Sequence, residues 1–187
     1  MGTYFNPDGE AFRKMIQSEI YVDKTGLLNY TNSVLNTMQG YLCISRPRRF
    51  GKSMAANMLA AYYSRESRAE ELFSGFKISE SPDFQKYANQ YNTIFLNMQD
   101  FLSMTHNVSD MLNLLQTRIV SELKRKYPDH ITDEPLIFAM QDIFSQTGRP
   151  FVILIDEWDC LFREYKQDKD AQKQYLDFLR AWLKDKD

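Results

Sequence analysis

Apolar residues recur every three or four positions in six stretches of the chain, which is the spacing of one face of an α-helix. The clearest stretch begins at Asp110 and ends near Lys126, and Pro128 lies just beyond it. The other helices are predicted over residues 10–16, 24–35, 53–64, 132–148 and 170–185. The most regular apolar faces are Met54, Met58, Ala61 and Tyr62; Leu112, Leu115, Ile119 and Leu123; and Tyr175, Phe178, Leu179, Trp182 and Leu183.

The helix over residues 132–148 also carries signals for both of its ends. Thr132 and Asp133 are candidate caps, because their side chains can accept hydrogen bonds from free backbone N–H groups. Pro135 suits the first turn, where its missing N–H costs nothing. Gly148 is a plausible stop, since glycine adopts the left-handed conformation that ends many helices.

Three compact apolar runs predict buried β-strands. They are GYLCIS (40–45), NTIFLNM (92–98) and PFVILIDEWD (150–159), and a shorter extended piece is expected at YVD (21–23). The last run is apolar on both faces, as in a strand that helices cover on both sides. Because strands alternate with helices, the sequence predicts an α/β fold with a mainly parallel sheet.

The turn between the first strand and the following helix contains Gly51-Lys52-Ser53, the end of a phosphate-binding loop. Glycine lets the backbone approach an oxyanion closely, and the helix start directs free N–H groups at phosphates. Lysine at this position reaches the β- and γ-phosphates, and the serine hydroxyl binds Mg²⁺. Arg46 stands where such a loop usually has its first glycine.

An acidic pair, Asp156-Glu157, ends the third predicted strand. The carboxyl ends of strands are where α/β sheets place their ligand sites. Asp156 is therefore a candidate ligand of the same Mg²⁺, and Glu157 a candidate base for the water that attacks the γ-phosphate.

Three segments together resemble one group of proteins: YVDKTGLL (21–28), SRPRRFGKSM (45–54) and VILIDEWD (152–159). They are similar to the bacterial predicted AAA-ATPase-like family, within the P-loop ATPases that have an additional strand and a catalytic glutamate. The resemblance covers essentially the whole chain, and the arginine-rich loop is the family's own version of the phosphate loop. It implies a P-loop NTPase with three α/β/α layers, ATP and Mg²⁺.

The resemblance also implies roles for individual residues. Lys52 carries the phosphate role and is counted with Glu157 as catalytic, while Ser53 and Asp156 hold the metal. The predicted nucleotide-binding residues are Arg46, Pro47, Arg48, Arg49, Phe50, Gly51, Lys52, Ser53 and Met54. Two points stay open: whether a loop arginine neutralises the γ-phosphate or is merely solvated, and whether Asp23 and Lys24 close the nucleotide pocket or cap the next helix.

Proteins of this family normally continue beyond the acidic strand with a sensor strand, another strand, a helical lid and often a PD-(D/E)xK nuclease-like domain. The sequence therefore predicts an N-terminal helical segment (1–40) and a P-loop core (41–187) that is truncated before the sensor strand. Such an effector domain would be absent here. Alternatively, the first and third strands pair directly and leave an open edge for self-association or another chain.

Composition limits the number of domains, the partners and the cellular location that the sequence predicts. The chain has 187 residues, 43% of them hydrophobic, which fits one ordinary domain. A net charge of −2 gives no sign of nucleic-acid binding. The short basic runs RPRR (46–49) and KRK (124–126) keep nucleic-acid binding at a local basic surface as an alternative. No signal peptide or membrane-length apolar run is seen, and Cys43 and Cys160 are expected to be buried free thiols, so a cytoplasmic location without membrane contact is expected.

Two functions remain from these observations. The first is a Mg²⁺-dependent ATPase whose cycle, in the full-length protein, drives a conformational change; the truncated piece itself is expected to hydrolyse ATP weakly or not at all. The second is a nucleotide-dependent switch or binding module without significant turnover, regulating a nuclease-like effector. ATP is favoured over GTP because the guanine-specific Asn/Thr-Lys-x-Asp motif is absent.

Overall fold

The computed structural model describes residues 2–45, 51–129, 131 and 135–183. Helices dominate these ranges, together with two strands, β1 (Asn92–Asn97) and β2 (Phe151–Asp156), and one 3-10 turn (Lys77–Glu80). The helices are α1 (Glu10–Ile16), α2 (Gly26–Val34), α3 (Lys52–Tyr63), α4 (Ala69–Leu72), α5 (Phe84–Tyr87), α6 (Met98–Ser103), α7 (Val108–Lys126), α8 (Leu136–Thr147), α9 (Cys160–Glu164) and α10 (Lys169–Leu183).

The six predicted helices are confirmed, as α1, α2, α3, α7, α8 and α10. All four residues of the predicted α7 stripe are buried, whereas Met54 at the start of α3 is 39% exposed. Gly148 ends α8 with φ 63°, as predicted. Pro135 is the N-cap of α8 and so lies just before its first turn. Thr132 and Asp133 lie outside the described residues.

Two of the three predicted strands are confirmed, and they pair with each other. β1 and β2 form a small parallel two-stranded sheet, which makes the fold a mixed α/β one. Phe5 adds an isolated antiparallel bridge to Ile94 on β1. Only Val152 of β2 is buried and its other residues are partly exposed, so β2 is less covered than its apolar sequence predicted.

The predicted strand over residues 40–45 is wrong. Residues 41–45 have no regular secondary structure and are exposed, with Tyr41 at 59%. A strand forms only when a neighbour pairs with its backbone, and the sheet within the described ranges consists of β1 and β2 alone. The prediction that Cys43 is buried fails for the same reason. Cys160 is buried, and burial raises the pKa of its thiol to about 11.

The described chain divides into two compact units. The first extends to Phe95 and includes Arg149–Leu154, and the second comprises Leu96–Gly148 and the chain from Ile155 onwards. In the second unit α7 packs against α8 and α10, and the Tyr175 hydroxyl donates to the Trp158 carbonyl at 2.9 Å. Its buried side chains include Leu96, Met98, Met111, Leu115, Ile119, Leu123, Ala139, Ile143, Leu161 and Tyr175.

The core of the first unit is built from aromatic side chains around α3. Phe12 of α1 stacks on Phe73 with ring centroids 4.8 Å apart, and Tyr62 meets Phe73 edge-on at 5.5 Å. These rings are 1% exposed or less. Offset and edge-on arrangements add to the hydrophobic gain from burial. The core therefore fixes α3, which begins at the predicted phosphate loop.

Buried hydroxyl and amide groups tie α2 to α3. The Tyr63 hydroxyl lies 2.6 Å from Thr31 Oγ1 and 2.8 Å from Asn32 Oδ1, while Asn32 Nδ2 donates to the Tyr62 hydroxyl at 3.2 Å. All four residues are buried. Polar groups out of water must find partners inside the protein, so this network specifies how α2 sits on α3.

Removing the Tyr63 hydroxyl is expected to destabilise the fold. A Tyr63→Phe variant leaves the amide oxygen of Asn32 buried without this donor, and we expect a loss of about 1–3 kcal/mol in the free energy of unfolding. Urea denaturation measures it. Tyr30→Phe on exposed α2 surface is the matched control and should change stability very little. Equal stabilities for the two variants would contradict the role given to this network.

Candidate functional site

The start of α3 is formed by Gly51, which adopts the left-handed conformation with φ 78° and ψ 26°. Side chains with a β-carbon adopt these angles rarely, so the turn favours glycine. The Ala55 N–H donates to the Gly51 carbonyl at 3.0 Å, which is the first bond of the helix. The backbone N–H groups of the first turn that follows have no carbonyl within the helix to bond.

The predicted residues Lys52, Ser53 and Met54 lie together on this first turn of α3. Lys52 is half-buried, and Ser53 and Met54 are exposed. The Asn57 side chain donates to the Ser53 carbonyl at 2.8 Å. α3 has 12 residues and no acidic residue in its first turn, so its positive dipole end is not neutralised within the helix. The predicted residues Arg46, Pro47, Arg48, Arg49 and Phe50 lie outside the described residues.

The segment YVDKTG approaches this turn through Lys24. A β-carbon on residue 51 would lie 3.5 Å from Lys24 Nζ and 3.9 Å from Met54 Sδ. The sequence alone did not place Lys24 next to Gly51, because 27 positions separate them in the chain. Two roles were considered for Lys24, closing the nucleotide pocket and capping the next helix. Its position beside Gly51 favours the first.

Asp23 has a structural role beside it. Its carboxylate accepts the Thr25 N–H at 2.8 Å and the Lys77 N–H at 3.1 Å. Partial burial would raise the pKa of Asp23, but the hydrogen bonds from Thr25 and Lys77 outweigh it and hold the pKa below its ordinary value. The ionised form therefore stabilises the folded chain at neutral pH, and this contribution is lost as the pH falls through the lowered pKa.

The acidic pair lies at the end of β2 in the second unit. Asp156 is the last residue of the strand, and its Oδ1 accepts the Glu157 N–H at 3.0 Å. Glu157 has φ 52°, a left-handed conformation that is uncommon for residues other than glycine. Both side chains are partly exposed. The chain thus turns sharply at the two residues that the sequence analysis assigned to metal and base.

Arg163 of α9 holds this turn through three contacts. Its guanidinium donates to Glu157 Oε2 at 2.5 Å, to Asp159 Oδ1 at 2.6 Å and to Gln99 Oε1 at 3.4 Å. The hydrogen bond to Glu157 is the main reason that the pKa of Arg163 is raised. Sequence analysis missed Arg163. The spacing of four between Asp159 and Arg163 on a helix start could have indicated their pair, but nothing local indicated the contact with Glu157.

The predicted metal ligands are suited to Mg²⁺ by their chemistry. Ser53 and Asp156 offer a hydroxyl and a carboxylate oxygen, and Mg²⁺ binds oxygen ligands. Among the described residues no group of three or more His, Cys, Asp and Glu side chains could hold a metal ion. Mg²⁺ at nucleotides usually combines one or two protein oxygens with phosphate oxygens and water.

One of the comparisons with known proteins confirms the predicted family. The sequence profile of the family described as Predicted AAA-ATPase matches residues 9–186. No curated protein and no solved structure matches the chain. In the part of the chain that is described, no helix has the length and apolar character needed to cross a membrane. Since the profile match extends over nearly the whole sequence, the chain belongs to the predicted AAA-ATPase family, whose name indicates nucleotide binding.

Proposed function

We propose that the chain binds ATP together with Mg²⁺ and hydrolyses it. The observation that carries the proposal is the left-handed Gly51 directly before the 12-residue helix α3, with Lys52 and Ser53 on its first turn, in a chain of the predicted AAA-ATPase family. An N-terminal helix turn with free N–H groups and a lysine is suited to a triphosphate. ATP rather than GTP follows from the family and from the lack of a guanine-specific motif.

The phosphate-binding residues of this proposal come from the loop and from α3. The Lys52 ammonium binds the β- and γ-phosphates as a point charge, and the N–H groups that follow Gly51 bind phosphate oxygens. Met54 lines the nucleotide at the same turn. The loop residues from Arg46 to Phe50 complete the set, and their arginines supply positive charge towards the triphosphate.

The remaining roles belong to Ser53 and to the acidic pair. Ser53 and Asp156 would hold Mg²⁺, which would neutralise charge on the phosphate oxygens. Glu157 orients the attacking water and accepts its proton. The order of the two motifs along the chain and the family support this assignment. Hydrolysis then drives a conformational change that reaches an attached effector.

A second candidate function is a nucleotide-dependent switch without significant turnover, for example one that regulates a nuclease-like effector. The contact between Arg163 and Glu157 favours it. The charge-assisted hydrogen bond at 2.5 Å occupies Glu157 Oε2 and holds the carboxylate towards Arg163, so that both oxygens are not left for the attacking water. In this function, nucleotide binding alone changes the protein's affinity for its partner.

Phosphate release from ATP distinguishes the two functions. The purified chain is incubated with Mg²⁺ and radiolabelled ATP, with protein in excess, so that a single turnover is visible. The proposed ATPase predicts time-dependent release of labelled phosphate that stops when Mg²⁺ is chelated. Bound but intact ATP after many hours would favour the switch. A folded chain that retains no ATP would contradict both functions.

A further inference from the structure

Lys24 provides a second cation at the turn before α3. A β-carbon on Gly51 would lie 3.5 Å from its Nζ, so the ammonium group is adjacent to the N-terminus of α3. The Lys24 side chain is exposed, and within the ranges that the structure describes it forms no salt bridge. It can therefore bind a ligand there without breaking an ion pair to any residue that the structure describes.

The backbone on both sides of Lys24 is held in place. Asp23 accepts the N–H groups of Thr25 and Lys77, as described above. Thr25 is fully buried, and its hydroxyl accepts the Ile78 N–H at 3.3 Å. The Lys24 carbonyl accepts the Leu27 N–H at 3.0 Å, in the first turn of α2. Because the segment is already ordered, Lys24 loses little backbone freedom when a ligand binds, which favours affinity.

The electrostatics of this turn favour an anion. The N-terminus of α3 carries the positive end of the helix dipole, its first residue is Lys52, and its first turn has no acidic side chain. A lysine next to such a terminus is repelled by the dipole and by the like charge. The arrangement becomes favourable when several negative charges bind between the cations, and a polyphosphate supplies them.

We propose that Lys24 binds a phosphate group of the nucleotide, as a second ammonium beside Lys52. This inference rests on the proposed ATP site and adds a ligand-binding residue to it. Glycine at position 51 is favoured by its left-handed angles alone, since a β-carbon there would meet the Lys24 ammonium at an ordinary contact distance.

The test is a calorimetric titration of the full chain with ATP and, separately, with inorganic tripolyphosphate. The variants are Lys24→Gln, Lys24→Arg and, as a matched control on exposed α1 surface, Lys14→Gln. We expect Lys24→Gln to weaken both ligands by about tenfold, the effect of losing one charge-assisted contact. Lys24→Arg keeps the charge and should stay within about threefold of the wild type. Lys14→Gln should bind like the wild type.

Each other outcome has a defined meaning. If the wild type binds ATP and Lys52→Ala weakens it, but Lys24→Gln binds like the wild type, this inference is overturned and the proposed function stands. Equal losses in Lys24→Gln and Lys24→Arg, or a loss for ATP without one for tripolyphosphate, also overturn it. If Lys24→Gln does not fold in a thermal melt, Lys24→Arg is the deciding variant. Binding within about threefold of the wild type then supports the inference, and binding about tenfold weaker overturns it. A wild type that binds neither ligand overturns the proposed function as well.

Discussion

A Glu157→Gln variant is expected to keep ATP bound and to lose ATP hydrolysis by at least about 100-fold, the usual scale for removing a general base. Glutamine has the same shape as glutamate, but its amide cannot take a proton from water. Its amide oxygen can still accept a hydrogen bond from Arg163, so the turn after β2 should persist. Single-turnover phosphate release and nucleotide retention, measured on the same sample, check both halves of this prediction.

Glu164→Gln is the matched control for this variant. Glu164 is an exposed residue at the end of α9, and its substitution removes one carboxylate from the same unit. It should hydrolyse ATP at the wild-type rate. The role of Glu157 would be contradicted if the Glu157→Gln variant turned over ATP normally, or if Glu164→Gln slowed hydrolysis to the same extent.

A Lys52→Ala variant is expected to lose ATP affinity by about 10- to 100-fold, because the phosphates lose a charge-assisted contact at the first turn of α3. The fold should not suffer. A cation at the N-terminus of a helix opposes the helix dipole, so its removal is expected to leave the melting temperature unchanged or slightly higher. Fluorescence titration with a labelled ATP analogue and a thermal melt provide the two measurements.

Lys14→Ala on exposed α1 surface controls for the loss of one positive charge in the same unit. It should bind ATP with wild-type affinity. If Lys52→Ala binds ATP as tightly as Lys14→Ala does, the proposed phosphate-binding role of Lys52 is contradicted. A variant that binds weakly only because it is unfolded would be recognised from the melt.

The helices were predictable from sequence because their signals are local. The α7 stripe repeats every three or four residues, and the end of α8 is specified by one glycine. The candidate site was predictable in part for the same reason, since Gly51, Lys52 and Ser53 are consecutive at the start of α3. For β1 and β2, short apolar runs with polar ends were sufficient.

What sequence reasoning missed depends on contacts between distant positions. Residues 40–45 have the composition of a strand, but a strand also requires a neighbour, and composition does not reveal one. The position of Lys24 beside Gly51 follows from how α2 and the 3-10 turn pack around Asp23 and Thr25. The hydrogen bond from Arg163 to Glu157 depends on the left-handed turn after β2. None of the residue types in DEWD indicates such a turn.

The central claim is that this chain binds Mg²⁺ and ATP together. Isothermal titration of the folded chain with ATP, in Mg²⁺ and again in excess chelator, tests it most directly. The account predicts saturable binding of one ATP per chain that is tighter when Mg²⁺ is present. No saturable heat in either buffer, from a sample whose thermal melt shows cooperative unfolding, would contradict it.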